Sequence, residues 1–179
     1  IGIALILLLQ WVFLGNLRSA IIVGATIPFA LFFAIGILVL RGESANLLSV
    51  GAIDFGLIVD ATVIMVESIF RRLGQLGESS AQGPLAAAPS PEGFSGKLLA
   101  VFQAGLDVNR SIFFAAGIII AGFIPLFTLS GVEGHIFGPM AKTYAYALAG
   151  GLIATFTVTP ALSAVLLPEY VRETETWVV

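Results

Sequence analysis

The sequence predicts an all-α protein, a polytopic transmembrane helical bundle whose helices cross a lipid bilayer several times. Of its 179 residues, 58% are hydrophobic and only 11% are charged, and the mean hydropathy is +1.05. A soluble globular domain carries about 25% charged residues, so this composition excludes that class. The apolar residues also fall into long runs, and a helix needs about 20 of them to cross the hydrocarbon core.

The charges and the first residues narrow the class further. A formal net charge of -3 without a basic cluster gives no support for a nucleic-acid partner. The chain has no cysteine, which removes disulfides and thiolate metal sites from consideration. It opens Ile-Gly-Ile-Ala with no basic lead, so no signal peptide is predicted. We expect residue 1 to lie inside a helix and the sequence to be a piece of a longer protein.

Residues 1–72 are predicted to hold three spans joined by short polar turns. The spans cover residues 1–14, which form the end of a helix, 19–40 and 46–70. Pro28 lies inside the second span, where membrane helices tolerate proline better than soluble ones do. A polar turn follows at Arg41-Gly-Glu-Ser44, and Arg71-Arg72 closes the third span.

The second half of the chain is predicted as a cytoplasmic linker, two more spans and a tail. The linker covers residues 73–110; its first part is rich in Gly, Ser, Ala and Pro, and its second part predicts a short amphipathic helix from Lys97 at the membrane surface. Residues 111–168 hold the fourth span, 111–129, and the fifth, 139–167; residues 169–179 form a cytoplasmic tail. Within the fifth span, Ala147, Gly151 and Thr155 recur every four residues, which favours close helix packing.

The basic residues predict the orientation of the spans. If the loop at residues 15–18 is cytoplasmic, six basic residues lie inside and two lie at or near the outer side, as the positive-inside rule requires. The six are Arg18, Arg71, Arg72, Lys97, Arg110 and Arg172; the two are Arg41 and Lys142.

Three carboxylates, Asp54, Asp60 and Glu67, interrupt the third span and are the candidate functional residues. An acid at the centre of a membrane helix costs roughly 2.5–3.5 kcal/mol, and acids found there usually carry function. Asp60 lies near mid-depth, and Glu67 follows it by seven residues, within about 20° on a helix of 100° per residue. Asp54 lies about 120° away from Asp60 on the same geometry. Three acids spaced along one membrane helix can pass a proton from one to the next, so they predict a proton path through the membrane.

Simpler roles remain open for two of these acids, and their basic partner is missing. Glu67 has the spacing to pair with Arg71 at i+4, and Asp54 has the position to reach water near a vestibule. Apart from Lys142, at a predicted helix start, the spans contain no lysine. Either the partner lies in another part of the protein or the acids are protonated at rest. One glutamate and one histidine, Glu133 and His135, are too few for a metal site.

The chain resembles the resistance-nodulation-division efflux pumps, and among them the heavy-metal efflux branch. The first half carries Gly15-Asn-Leu-Arg18, Pro28, Ser44-Ala-Asn-Leu-Leu-Ser49, Gly51-Ala-Ile-Asp-Phe-Gly-Leu-Ile-Val-Asp60, Glu67 and Arg71-Arg72. The second half carries Phe123-Ile-Pro-Leu-Phe-Thr-Leu-Ser-Gly-Val-Glu-Gly134, Phe137-Gly-Pro-Met140 and Thr157-Val-Thr-Pro-Ala161. These motifs occur in the family's order and spacing and cover nearly the whole chain except residues 74–93.

The resemblance implies one part of a much larger proton-driven antiporter. The chain would run from the end of the family's second helix to its sixth, within one half of the transmembrane domain. Asp60 would be the central proton-carrying acid, with Asp54 and Glu67 the additional acids of the pumps for divalent cations. The basic partner would lie in the other half. The whole pump would be a homotrimer in the bacterial inner membrane, joined to a periplasmic adaptor and an outer-membrane channel, with no cofactor.

The metal and the competing functions follow from the same residues. The only methionines are Met65 and Met140, and because thioether sulfur suits Cu(I), their scarcity favours zinc, cobalt, nickel or cadmium. An intramembrane aspartyl protease needs two carboxyl groups within a few ångströms of each other. Asp54 and Asp60, a turn and a half apart on one helix, do not meet that condition. A relative with a non-metal substrate or a non-transport role remains the alternative.

Overall fold

The structure is a computed structural model that describes residues 2–14, 16–43, 50–51, 53–81 and 94–167. Its helices are α1 (Gly2–Leu14), α2 (Leu17–Leu40), α3 (Phe55–Ala81), α4 (Phe94–Thr128) and α5 (Gly131–Leu166). No strand occurs in these ranges. The predicted all-α helical bundle is confirmed. The predicted tail at residues 169–179, the last residue of the predicted turn (Ser44) and the first residues of the predicted third span (46–49) lie outside the described residues.

Helix α2 begins and ends at the polar residues that the sequence places around it. The side chain of Asn16 accepts a hydrogen bond from the backbone N–H of Arg18 at 3.0 Å, which caps the first turn. At the other end Gly42 has φ +66°, and the N–H of Glu43 bonds to the carbonyl of Leu38 at 3.0 Å. This is the Schellman arrangement that favours glycine after a helix.

Helices α2, α3 and α5 form the centre of the bundle. Thr62 on α3 contacts Thr155 on α5, 93 residues away, and Ile58 approaches Gly151 at the same separation of 93 (151 − 58). The equal offset means that α3 and α5 run parallel. Helix α2 runs opposite to both, since Thr26 contacts Thr62 and Phe33 lies against Gly150.

The central helices approach closely because small residues line their contact. Ala147, Gly151 and Thr155 are all buried, as their four-residue spacing predicts. A Cβ at Gly151 would lie 2.7 Å from a methyl group of Ile58, so no larger residue fits without displacing α3. The fully buried Thr62 and Thr155 hydroxyls share a hydrogen bond of 2.8 Å. These contacts fix the position of α3 and therefore of its carboxylates.

The boundaries of α3 and α4 differ from the predicted ones. Residues 73–81, predicted as the start of a linker, continue α3, because Leu73 is fully buried in the core. The segment from Lys97, predicted as a separate surface helix, is continuous with the fourth span in the 35 residues of α4. Arg72 ties the two helices together by pairing with Asp107. The rest of the Gly- and Pro-rich part of the predicted linker, residues 82–93, lies outside the described residues.

Three of the described helices, α2, α4 and α5, are long and apolar enough to cross a membrane. Helix α1 has only 13 residues, and the first 18 residues of α3 carry four charges, so neither meets that criterion. A membrane position for α3 remains a prediction. Of these three helices α4 is the least covered, with only 11% of its most apolar window buried. Its exposed apolar side chains include Phe102, Leu106, Phe113, Phe114, Ile118, Ile124 and Phe127.

Candidate functional site: the carboxylate face of α3

Helix α3 has one buried face and one exposed face, and Asp60 and Glu67 lie on the exposed one. The buried face packs against α2, α4 and α5 through Ile58, Val59, Thr62, Met65, Val66, Ile69 and Leu73. The exposed residues include Leu57, Asp60, Ile64, Glu67 and Arg71, spaced by three and four. Residues at that spacing share one side of a helix, so they form a single stripe, which we call the carboxylate face.

Asp60 lies on the carboxylate face between two apolar residues. Leu57 before it is 36% exposed and Ile64 after it is 38% exposed. No lysine, arginine or histidine among the described residues forms an ion pair with Asp60. An acid flanked by apolar side chains and without a cation needs a partner or a proton when water is removed.

Asp54 does not lie in the helix, contrary to the prediction of one continuous span over residues 46–70. Ile53 and Asp54 are non-helical, and α3 begins at Phe55. The Asp54 carboxylate accepts a hydrogen bond from the backbone N–H of Gly56 at 2.8 Å, as helix-capping aspartates do. The angle of 120° predicted from a continuous helix therefore does not apply. Asp54 instead lies directly before the helix that carries Asp60.

Glu67 forms the ion pair that its spacing allows. A guanidinium nitrogen of Arg71 lies 2.8 Å from a carboxylate oxygen of Glu67, and the two side chains are 65% and 58% exposed. Exposed pairs of this kind contribute about 0.2–1 kcal/mol. The structure therefore separates Glu67, which has a partner on its own helix, from Asp54 and Asp60. A relay role for Glu67 remains a prediction.

Sequence reasoning missed Tyr144, a residue on α5 whose side chain is buried in the bundle. Its residue is 4% exposed, and its hydroxyl has no hydrogen-bond partner among the described residues. No local pattern marks the position, because the burial of this hydroxyl depends on how α5 packs against the neighbouring helices. The only available signal was a tyrosine, which carries a polar group, inside an apolar span.

The other candidate residues do not assemble a metal site in the described part of the chain. Glu133 and His135 lie near the start of α5 with exposed side chains. The described residues contain no cluster of three or more histidine, aspartate, glutamate or cysteine side chains placed to hold a metal ion.

The sequence from residue 1 to residue 179 matches the profile of one protein family, described as AcrB/AcrD/AcrF. The chain belongs to the AcrB/AcrD/AcrF family. Similar proteins and a solved structure confirm the resemblance to the heavy-metal branch of the resistance-nodulation-division pumps.

Two relatives are resistance proteins named for metals. The cobalt-zinc-cadmium resistance protein CzcA of Cupriavidus metallidurans is 38% identical over 174 residues, which are 97% of this chain and 16% of the relative. The nickel-cobalt-cadmium resistance protein NccA of Alcaligenes xylosoxydans xylosoxydans is 37% identical over 179 residues, 99% of this chain and 16% of that protein. This family member thus spans about a sixth of the length of these relatives.

A solved structure confirms the arrangement of the helices. The X-ray crystal structure of a heavy metal efflux pump superposes with a TM-score of 0.72 at 35% sequence identity. The superposition covers 92% of this chain and 14% of the pump. The bundle of α1 to α5 is therefore a part of the transmembrane fold of such pumps.

Proposed function

We propose that this chain is the part of a proton-driven efflux pump for divalent heavy metals that carries the proton-relay acids. The observation that carries the proposal is Asp60, an acid between apolar residues on the one face of α3 that no described helix covers. A buried carboxylate changes its charge when it takes up a proton, and that change can drive a helix rearrangement.

The relay that we propose has a central pair and one outlying acid. The pair is Asp54, which caps the start of α3, and Asp60, which lies six residues further along the chain. Glu67 lies seven residues beyond Asp60 on the same face, at the end of α3 that carries Arg71 and Arg72. With the predicted orientation this end faces the cytoplasm, and protons would leave there.

The proposed cargo is a divalent cation, zinc, cobalt, nickel or cadmium, exported in exchange for protons. The support is the match to relatives whose names contain these metals, together with the scarcity of methionine in this chain. The exposed carboxylate face and the exposed apolar surface of α4 are surfaces that the remainder of a longer pump would cover. We propose that this pump is a homotrimer in the bacterial inner membrane, joined to a periplasmic adaptor and an outer-membrane channel.

Metal uptake into inverted membrane vesicles tests the proposal. Vesicles containing the full-length pump should accumulate Zn²⁺, Co²⁺, Ni²⁺ or Cd²⁺ when their interior is made acidic, and a protonophore should stop the uptake. Vesicles without the pump provide the background. Uptake that persists at full rate in the protonophore would contradict proton coupling, and uptake of none of the four ions would contradict the proposed cargo.

A further inference from the structure

A cluster of three buried hydroxyl groups joins the central helices α2, α3 and α5. Its members, Thr26, Thr62 and Thr155, are each 0% exposed. The hydroxyl oxygen of Thr62 lies 2.8 Å from that of Thr155 and 3.5 Å from that of Thr26. Among the described residues of α3, Thr62 is the only polar residue that is buried. The hydroxyl of Thr62 therefore faces one polar group on each of the two helices that enclose α3 at this level.

The hydrogen atoms of the cluster leave Thr62 with two acceptors for one donor. A threonine hydroxyl has a single hydrogen atom to donate. Thr26 donates its own to the carbonyl of Val23 at 2.7 Å. Thr155 donates its own to the carbonyl of Gly151 at 2.9 Å. Both side chains are thus acceptors toward α3. An O–H···O bond spans about 2.5–3.0 Å, so Thr62 donates to Thr155 in this structure and not to Thr26.

The second acceptor is close enough to take over after a small movement of α3. The two oxygen–oxygen distances differ by only 0.7 Å (3.5 − 2.8). Shifts of about 1–2 Å between packed helices belong to the repertoire of proteins that switch between states. A shift of that size, away from α5 and toward α2, brings Thr26 within hydrogen-bond distance of Thr62. We propose that Thr62 is a positioning residue of the relay, whose hydroxyl exchanges Thr155 for Thr26 as its acceptor when α3 moves.

Thr62 acts through Asp60, which precedes it by two residues. At 100° per residue the two side chains are about 200° apart, so Asp60 lies on the carboxylate face while Thr62 lies in the core. A movement of α3 that follows a change in the charge of Asp60 therefore also moves Thr62. Without a second acceptor this movement would leave a buried hydroxyl without a partner, which is unfavourable. The inference rests on the proposed function, because the movement of α3 is the response to protonation of Asp60.

Valine variants of the two acceptors in the full-length pump separate an exchange from a fixed contact. Thr155→Val removes the acceptor of this structure, and Thr26→Val removes the alternative one. Thr143→Val is the matched control, since Thr143 is also buried and donates to a carbonyl of its own helix, that of Pro139, at 2.9 Å. Zn²⁺ uptake by reconstituted vesicles is measured per amount of folded protein, and the melting temperature is measured in detergent.

The two acceptor variants should differ in which quantity they change. We expect Thr155→Val to lower both the melting temperature and the rate of uptake. Thr26→Val should have the melting temperature of Thr143→Val but take up Zn²⁺ about five-fold more slowly, the effect of one lost hydrogen bond on a rate. Thr26→Ser keeps an acceptor hydroxyl and should restore the rate.

Two results would overturn the inference. If Thr26→Val takes up Zn²⁺ at the rate of Thr143→Val, Thr62 does not change its acceptor. If Thr26→Val melts at as low a temperature as Thr155→Val, both acceptors are needed in the resting state and the cluster is a fixed anchor. Asp60→Asn, measured in parallel, separates these results from a failure of the proposed function, because uptake at the wild-type rate in Asp60→Asn would refute the relay itself.

Discussion

Asp60→Asn should abolish metal resistance in cells that depend on the full-length pump. Asparagine has nearly the same shape as aspartate but cannot take up and release a proton, so the relay stops while the contacts on the carboxylate face remain. Growth is measured in zinc, cobalt, nickel and cadmium, and protein amounts are followed by immunoblot. We expect the variant to be as sensitive as a strain without the pump. The metals against which the cells lose resistance identify the cargo.

Two further carboxylates provide graded controls for Asp60. Glu133, exposed near the start of α5, lies outside the proposed relay, and Glu133→Gln should retain full resistance. Glu67 already has an exposed partner in Arg71, and Glu67→Gln should cause a smaller loss than Asp60→Asn. Equal loss of resistance in all three variants would show a general sensitivity to lost charge, and full resistance of Asp60→Asn would refute its proton-carrying role.

Gly151→Leu should prevent the bundle from assembling. Even a Cβ at this position would lie 2.7 Å from a methyl group of Ile58, and a leucine adds three more carbon atoms to the closest contact between α3 and α5. Gly151→Ala is the milder form, and overpacking of this kind costs about 1–3 kcal/mol. Thermal unfolding in detergent should show a lower melting temperature for Gly151→Ala and no folded peak on size exclusion for Gly151→Leu.

Gly117 on α4 is the matched control for Gly151. Apart from its chain neighbours and the nearby backbone of its own helix, no atom of the described residues lies within 4 Å of the position that its Cβ would take. Gly117→Ala should therefore leave the melting temperature unchanged or raise it slightly, since alanine favours a helix by about 1 kcal/mol relative to glycine. If Gly151→Ala has the same melting temperature as Gly117→Ala and the wild type, the close approach of α3 and α5 is not needed for stability.

Local features of the fold were predictable because each depends on residues close together in the chain. The polar residues Arg41-Gly42 predict the turn after α2, and the spacing of four between small residues predicts the close packing of α5. The full length of α3 was not predictable in the same way. Arg71 and Arg72 suggest the end of a membrane span, yet Leu73 is buried and Arg72 pairs with Asp107, which lies 35 residues away.

The same distinction between local sequence and distant packing applies to the candidate site. The sequence singled out Asp54, Asp60 and Glu67 because a charge among apolar residues is unusual at any position. It did not show that Asp54 caps α3, since that depends on the non-helical conformation of Ile53 and Asp54. Tyr144 was missed because the burial of its hydroxyl comes from the packing of helices that are distant in sequence.

Proton movement through reconstituted full-length pump tests the central claim, that Asp60 carries protons in exchange for metal. Vesicles are loaded with a pH-sensitive dye, Zn²⁺ is added on the side from which the pump takes it, and proton and zinc fluxes are recorded together. We expect coupled fluxes in the wild type and neither flux in Asp60→Asn. Zinc transport with an unchanged proton flux in Asp60→Asn would contradict the claim.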